Sequence, residues 1–216
     1  MTAAMVRLGE DEAGEARRAR ILDAAERCIV RAGFHRTTMQ DVAAEAGMSP
    51  GNLYRYFASK DALVAGLAER DRAEVMVDFS ALAEASDVMA GLTRLAAKHF
   101  HEQSREKAVL CLEIWAEAAR NPAFAAMTAG CEQEITERLT ALFRRAQARG
   151  AIGAGADPEM LAVLLCTLAN GLFVRRAVSP DYRPAREVAA LMAVIDAAFN
   201  GRIDLDPARA TPERTA

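Results

Sequence analysis

Lysine is nearly absent from this 216-residue chain: Lys60, Lys98 and Lys107 stand alone among 27 basic residues, and arginine supplies the rest. Histidine is scarce too. His99 and His101 are two apart, which on a helix points their rings about 200° apart, and no Glu-x-x-His pairing accompanies them, so a helical metal site is disfavoured. Cys28, Cys111, Cys131 and Cys166 lack the paired spacing of a zinc site or a secreted disulfide framework and read as buried thiols. No stretch alternates polar and apolar residues like a half-buried strand. The longest apolar run, Met160 to Val174, contains Thr167 and Asn170 and reads as a buried helix rather than a membrane span. The opening residues, MTAAMVRLGEDEAGE, turn acidic at once and hold no apolar signal core, so a cytoplasmic protein without a membrane partner is expected. There is no nucleophile elbow, phosphate-cradling glycine loop or dinucleotide fingerprint. These absences weigh against an enzyme, and no cofactor or metal is expected.

What the chain does contain is dense punctuation between Thr38 and Leu63, TMQDVAAEAGMSPGNLYRYFASKDAL. Thr38 has Asp41 three residues on, so its hydroxyl can cap a helix start while the carboxylate faces the positive helix end. Val42, Ala43 and Ala46 give that helix an inward face. Gly47 sits where the chain must turn, a position that favours a residue without Cβ. Met48 can plug the corner, and Ser49-Pro50 supplies an N-cap followed by proline at the first helical position. Ser59 caps again ahead of a longer helix running through Leu63 and Leu67 to about Phe79. In the second helix Leu53 and Phe57 share a face, while Asn52, Tyr54, Arg55 and Tyr56 fall outside it and Gly51 lets the backbone come close to a neighbour. Recognition helices of helix-turn-helix proteins place such residues on base edges in the major groove, and this inventory fits that use.

The run VAAEAGMSPGNLYRYFASKDAL resembles the N-terminal signature of the TetR-type, tetracycline-repressor-like regulators, and the preceding RILDAAERCIVRAGFHRTT resembles their first helix and the loop after it. The match covers Arg20 to Leu63 without a gap. The resemblance implies an all-α homodimer with a DNA-binding head and a larger C-terminal ligand-binding and dimerisation domain, usually a repressor released by a small molecule. It carries DNA-contact roles onto Thr38, Gln40, Gly51, Asn52, Tyr54, Arg55, Tyr56 and Lys60. Arg55 stands where family members vary most and is the choice for sequence discrimination.

Charge distribution agrees. The net charge is −3, yet the positive charge gathers between residues 16 and 60. Arg17 and Arg36, with Arg18, Arg20 and His35, lie where the first helix and its exit loop would meet a phosphate backbone. The expected organisation is a flexible lead over 1–15, a helix-turn-helix domain over 16–62, a ligand-binding and dimerisation domain over 63–201 and a flexible tail over 202–216. Arginine and alanine in place of lysine point, by codon bias, to a GC-rich bacterial genome.

Beyond Phe79, turn residues at Ser86-Asp87, Asn121-Pro122, Gly150 to Gly155, Asp157-Pro158, Ser179-Pro180 and Asn200-Gly201 divide the chain into helices, about nine in all. The helices near 157–178 and 184–200 are apolar on more than one side and need a second subunit. Leu164, Thr167, Leu168 and Gly171, facing a Leu191, Ile195 and Phe199 row, are the candidate dimer interface. Two-fold symmetry in turn implies a palindromic double-stranded operator. Middle helices should enclose a small-molecule effector of hydrophobic character, with Phe100, Trp115, Met127 and Cys131 as lining candidates. Glu113 and Glu117 read as solvated; were they inside, they would favour a cationic ligand. The residues leave open an activator or DNA-free adaptor of the same fold and, from a different class, a metal-dependent helical enzyme.

Overall fold

The computed structural model of the protein describes residues 3–205, with side chains from residue 13 onward. Among these residues the chain is all-α. Its elements are α1 (Ala3–Ala32), α2 (Met39–Glu45), α3 (Pro50–Tyr54), α4 (Lys60–Ala83), α5 (Val88–Ala97), α6 (Arg105–Ala118), α7 (Pro122–Ala148), α8 (Pro158–Val178) and α9 (Pro184–Phe199), and a single π-turn at Lys98–Glu102 prolongs α5. The expected lead differs from what is observed: helix begins at Ala3. Alanine, methionine, leucine, arginine and glutamate are all strong helix formers, and a helix already nucleated downstream extends through them at little cost. Of the expected tail, residues 206–216 lie outside the described ones.

The chain divides into two compact units. The first takes in residues up to Ala73 together with Leu110–Met127; the second takes in Glu74–Val109 and everything from Thr128 onward. Helices α4, α6 and α7 each contribute to both. The first unit therefore includes more than residues 16–62: the end of α6 and the start of α7 join it. Its core gathers Ile21, Leu22, Ala25 and Ile29 of α1, Val42 of α2, Leu53 and Phe57, Leu63 and Leu67 of α4, Leu110 and Ile114 of α6 and Phe124 of α7.

In the second unit, Phe143 is fully buried and meets Phe199 edge to face at 5.2 Å. Leu139, Leu161 and Ile195 complete the centre of that core. The π-turn is pinned from several sides. Lys98 Nζ donates to Asp78 on α4 at 2.6 and 2.8 Å, and His99 Nε2 lies 3.0 Å from the same carboxylate. The buried Arg176 guanidinium donates to the Phe100 and Gln103 carbonyls, and Tyr182 donates to the Phe100 carbonyl at 3.4 Å. His99 is thus occupied by an aspartate of its own unit, and His101 is exposed.

Helix α8 has 21 residues and an 18-residue window of mean hydropathy 1.6, enough by length and composition to cross a bilayer, with 33% of that window buried within this chain. The sequence reading of the α8–α9 surface needs one correction. Leu191, Ile195 and Phe199 are at most 5% exposed and form the unit's own core. A helix apolar on several sides does not announce which row turns inward, and here the larger side chains of α9 do. Leu164 and Leu168 are half-buried against that core, while Thr167 and Gly171 are exposed. The outward stripe of α8 is Val163, Thr167, Gly171, Val174 and Val178.

Candidate nucleic-acid interface

Each helix of the turn motif begins at a hydroxyl. Thr38 Oγ1 accepts from the Asp41 amide at 3.2 Å while the Thr38 amide donates to the Asp41 carboxylate at 2.9 Å, a reciprocal capping box. Asp41 is held below the usual carboxylate range, first by the Thr38 hydroxyl and then by the Thr38 backbone. Helix α2 ends at Glu45, and beyond its C-cap Ala46 stands Gly47, whose φ of 67° is left-handed; the Gly47 amide donates to the Ala44 carbonyl at 3.1 Å and the Met48 amide to the Ala43 carbonyl at 2.9 Å. That pair of hydrogen bonds is the glycine-dependent stop known as the Schellman motif. Ser49 Oγ then accepts from the Asn52 amide at 3.3 Å with Pro50 in the first turn, and Ser59 Oγ accepts from the Ala62 amide at 3.1 Å.

These stops leave α3 five residues long, anchored inward by Leu53 and Phe57 at 0% and 2% exposure. Its outward side carries Gly51, Tyr54 at 48% exposure and Arg55. Nothing lies within 4 Å of where a Gly51 Cβ would stand, so its backbone is open to a partner. Gln40 and Thr38 are exposed beside it, and Asn52 and Tyr56 are half-buried. Arg17 Nη1 donates to the Tyr56 hydroxyl at 3.3 Å, and Arg36 Nε donates to the Ala32 carbonyl at 2.8 Å. Both arginines are exposed and anchored by one nitrogen each.

Lys60 is placed differently from its neighbours. Its ammonium donates to the Phe34 and Thr37 carbonyls at 2.9 and 3.2 Å and sits 4.2 Å from the centre of the Phe34 ring. Two of its three N–H groups thus face the α1–α2 loop. Arg18, expected near the phosphate backbone, instead stacks on the core of the head. The Arg18 guanidinium lies 4.3 Å over the Phe57 ring, and Gly66 of α4 makes room for that ring, since a Cβ there would come within 2.8 Å of it. Glu45 accepts from Arg27 and Arg31, whose hydrogen bonds hold it below its ordinary range.

Residues 21–67 match the family described as "Bacterial regulatory proteins, tetR family", and residues 96–200 match "BetI-type transcriptional repressor, C-terminal". The HTH-type transcriptional regulator UidR of Escherichia coli strain K12 is 31% identical over 178 residues, covering 82% of this chain and 90% of UidR. The chain belongs to the TetR family. The solved structure of Salmonella enterica GusR is also similar, with 31% identity, a TM-score of 0.73 and coverage of 85% of this chain and 95% of GusR. A complex of SmeT with triclosan shares the fold at a TM-score of 0.77 and 24% identity, over 86% of this chain and 92% of SmeT. As a TetR-family member this protein is a DNA-binding transcriptional regulator.

The expected effector lining of this TetR-family chain is not one set. Phe100 is buried, with its ring 4.9 Å from Phe173, and Cys131 is half-buried; both belong to the second unit. Trp115 and Met127, half-buried, belong to the first. In the second unit a cavity of about 260 Å³ is lined by Gly153, Ala156, Ala198, Ile203 and Leu205 among others, and one of about 150 Å³ by Ser86, Val88, Leu142, Arg145 and Arg149 among others. Neither involves the four candidates. Nor are Glu113 and Glu117 solvated: Glu113 is half-buried and Glu117 is 7% exposed.

Proposed function

We propose that the protein is a homodimeric repressor that reads a palindromic operator with α3 and releases it when a small molecule binds the second unit. The observation that carries this reading is α3 itself, a five-residue helix capped by Ser49 whose exposed side offers Gly51, Tyr54 and Arg55 while Leu53 and Phe57 lock it from behind. Arg55 takes base edges; Arg17, Arg36, Thr38 and Gln40 take phosphates around it, and Tyr54, Asn52 and Tyr56 fix the register. Lys60 acts by holding the loop that precedes α2, with its remaining N–H available to a phosphate.

The second copy covers the outward stripe of α8, where Val163 and Val174 are each 42% exposed and Val178 is 63% exposed. Ala189 and Ala193 line the exposed side of α9, and with Thr167 and Gly171 they let two helices per subunit approach closely. Helix α4 runs from the head into the second unit over 24 residues, about 36 Å of rod, so a ligand that shifts its far end alters the separation of the two α3 helices. The similar folds solved with triclosan (SmeT) and with choline support a small-molecule effector.

A duplex selected from a random pool by the wild-type protein tests this. Arg55→Ala should weaken binding by about 1–3 kcal/mol and relax preference at one base pair per half-site. Thr167→Arg should yield monomers by light scattering. Unchanged base preference in the first variant removes Arg55 from the reading, and an intact dimer in the second removes the α8 stripe.

A further inference from the structure

The loop between α1 and α2 is held by groups that lie far away in sequence. The Phe34 amide donates to Glu113 Oε2 of α6 at 2.8 Å, although 79 residues separate them. Next to it, His35 Nε2 lies 3.1 Å from Glu117 Oε2, one turn further along α6. Glu117 falls on the same stripe as the core residues Leu110 and Ile114 and is 93% buried; Arg120 Nη2 lies 3.7 Å from the same Oε2, which His35 and Arg120 approach without completing a well-aligned hydrogen bond. Burying a carboxylate is unfavourable unless its partners are kept in place, so this arrangement ties His35 to α6. Gly33, at a left-handed φ of 83°, turns the chain directly over Glu113. From the other side come Lys60 of α4, bonded to the Phe34 and Thr37 carbonyls, and Phe124 of α7, edge to face with Phe34 at 5.7 Å. The loop ends at Arg36 and at Thr38, which opens α2.

We propose that Glu113 and Glu117 are positioning residues for DNA reading: from α6 they fix the Gly33–Thr37 loop so that Arg36 and Thr38 stand in register with the phosphate backbone. This rests on the interface described above. The carboxylates touch no nucleic acid themselves. They act by holding the Phe34 amide and the His35 ring, and through them the conformation from which Arg36 projects and α2 starts. Helix α6 begins in the second unit and carries both carboxylates in the first, so the hold on the loop is built into an element the two units share.

The test uses the full-length protein and a duplex selected by the wild type, with affinity measured across a salt series. Glu113→Ala/Glu117→Ala should weaken binding at least tenfold. It should also make the dependence of log K on log salt less steep by about 0.9 for each phosphate contact withdrawn. Glu113→Gln, whose amide oxygen still accepts from Phe34, should bind within threefold of wild type. If the double variant fails to fold by circular dichroism, Glu117→Gln serves in its place, with a smaller affinity loss and the same flattening of slope expected. A folded variant with wild-type affinity overturns the proposal. A loss of affinity at unchanged slope also overturns it, because it reports less folded protein rather than fewer phosphate contacts. Failure of the interface itself would be visible separately, as Arg55→Ala binding with unchanged base preference.

Discussion

In the first unit, helices of seven and five residues stand on hydroxyl caps at Thr38 and Ser49, and Ser59 caps the helix that follows. In the second, the 16-residue α9 starts at Arg183 without any side-chain cap, while the 21-residue α8, although Asp157 caps its first turn, is held along its length by packing on α9. The difference follows from length. A helix of one or two turns has most of its backbone groups unpaired at one end or the other, so capping decides whether it forms. A helix of four or more turns keeps its interior bonds regardless and is fixed by the face it buries. The head must expose its short helix to a duplex and therefore cannot surround it with core; end chemistry replaces packing there.

The largest expected effect breaks the packed unit. Phe143→Ala removes a fully buried ring and should cost about 3–5 kcal/mol in denaturant unfolding. If it cost under about 1 kcal/mol, packing would not be what holds the second unit. Thr38→Ala probes the capped unit, where loss of both halves of the box should cost about 1 kcal/mol and weaken operator binding measurably by fluorescence anisotropy. The smallest effect sharpens the contrast through pH. Asp41 is held below its ordinary pKa of 3.8, chiefly by Thr38. Its contribution is therefore complete above that unfolded-state value and is lost as pH falls through the lower folded-state value. Wild-type unfolding midpoints should decline as pH falls below about 4, and Thr38→Ala should decline less steeply there.

The head was legible because its signals are local. Thr38 and Asp41 recognise each other across three residues, Gly47 must turn where it stands, and Pro50 has one good place in a helix. Arg55 and Tyr54 followed as outward residues once Leu53 and Phe57 were read as inward. The loop clamp was not legible in the same way, although one signal existed: Glu117 lies seven residues after Leu110 and three after Ile114, a carboxylate on an apolar stripe. What it met there, His35 on a distant loop, depends on how α6 packs against α1 and α4. The dimer row failed for a related reason. Two faces of α9 are apolar, and periodicity carries no information about which one the rest of the chain covers.

The sequence by itself determined the helical class, the caps and turn that shape α3, the basic bias of the head and the resemblance to TetR-type regulators, because each rests on neighbouring residues or on composition. Only the tertiary structure decided that Lys60 bonds the loop carbonyls, that Leu191, Ile195 and Phe199 lie in the core, and that α6 ends inside the DNA-binding unit with Glu113 and Glu117 at the loop. Those facts are contacts between residues tens of positions apart, and a side chain's partner at that range is set by how whole helices pack, not by the residues beside it.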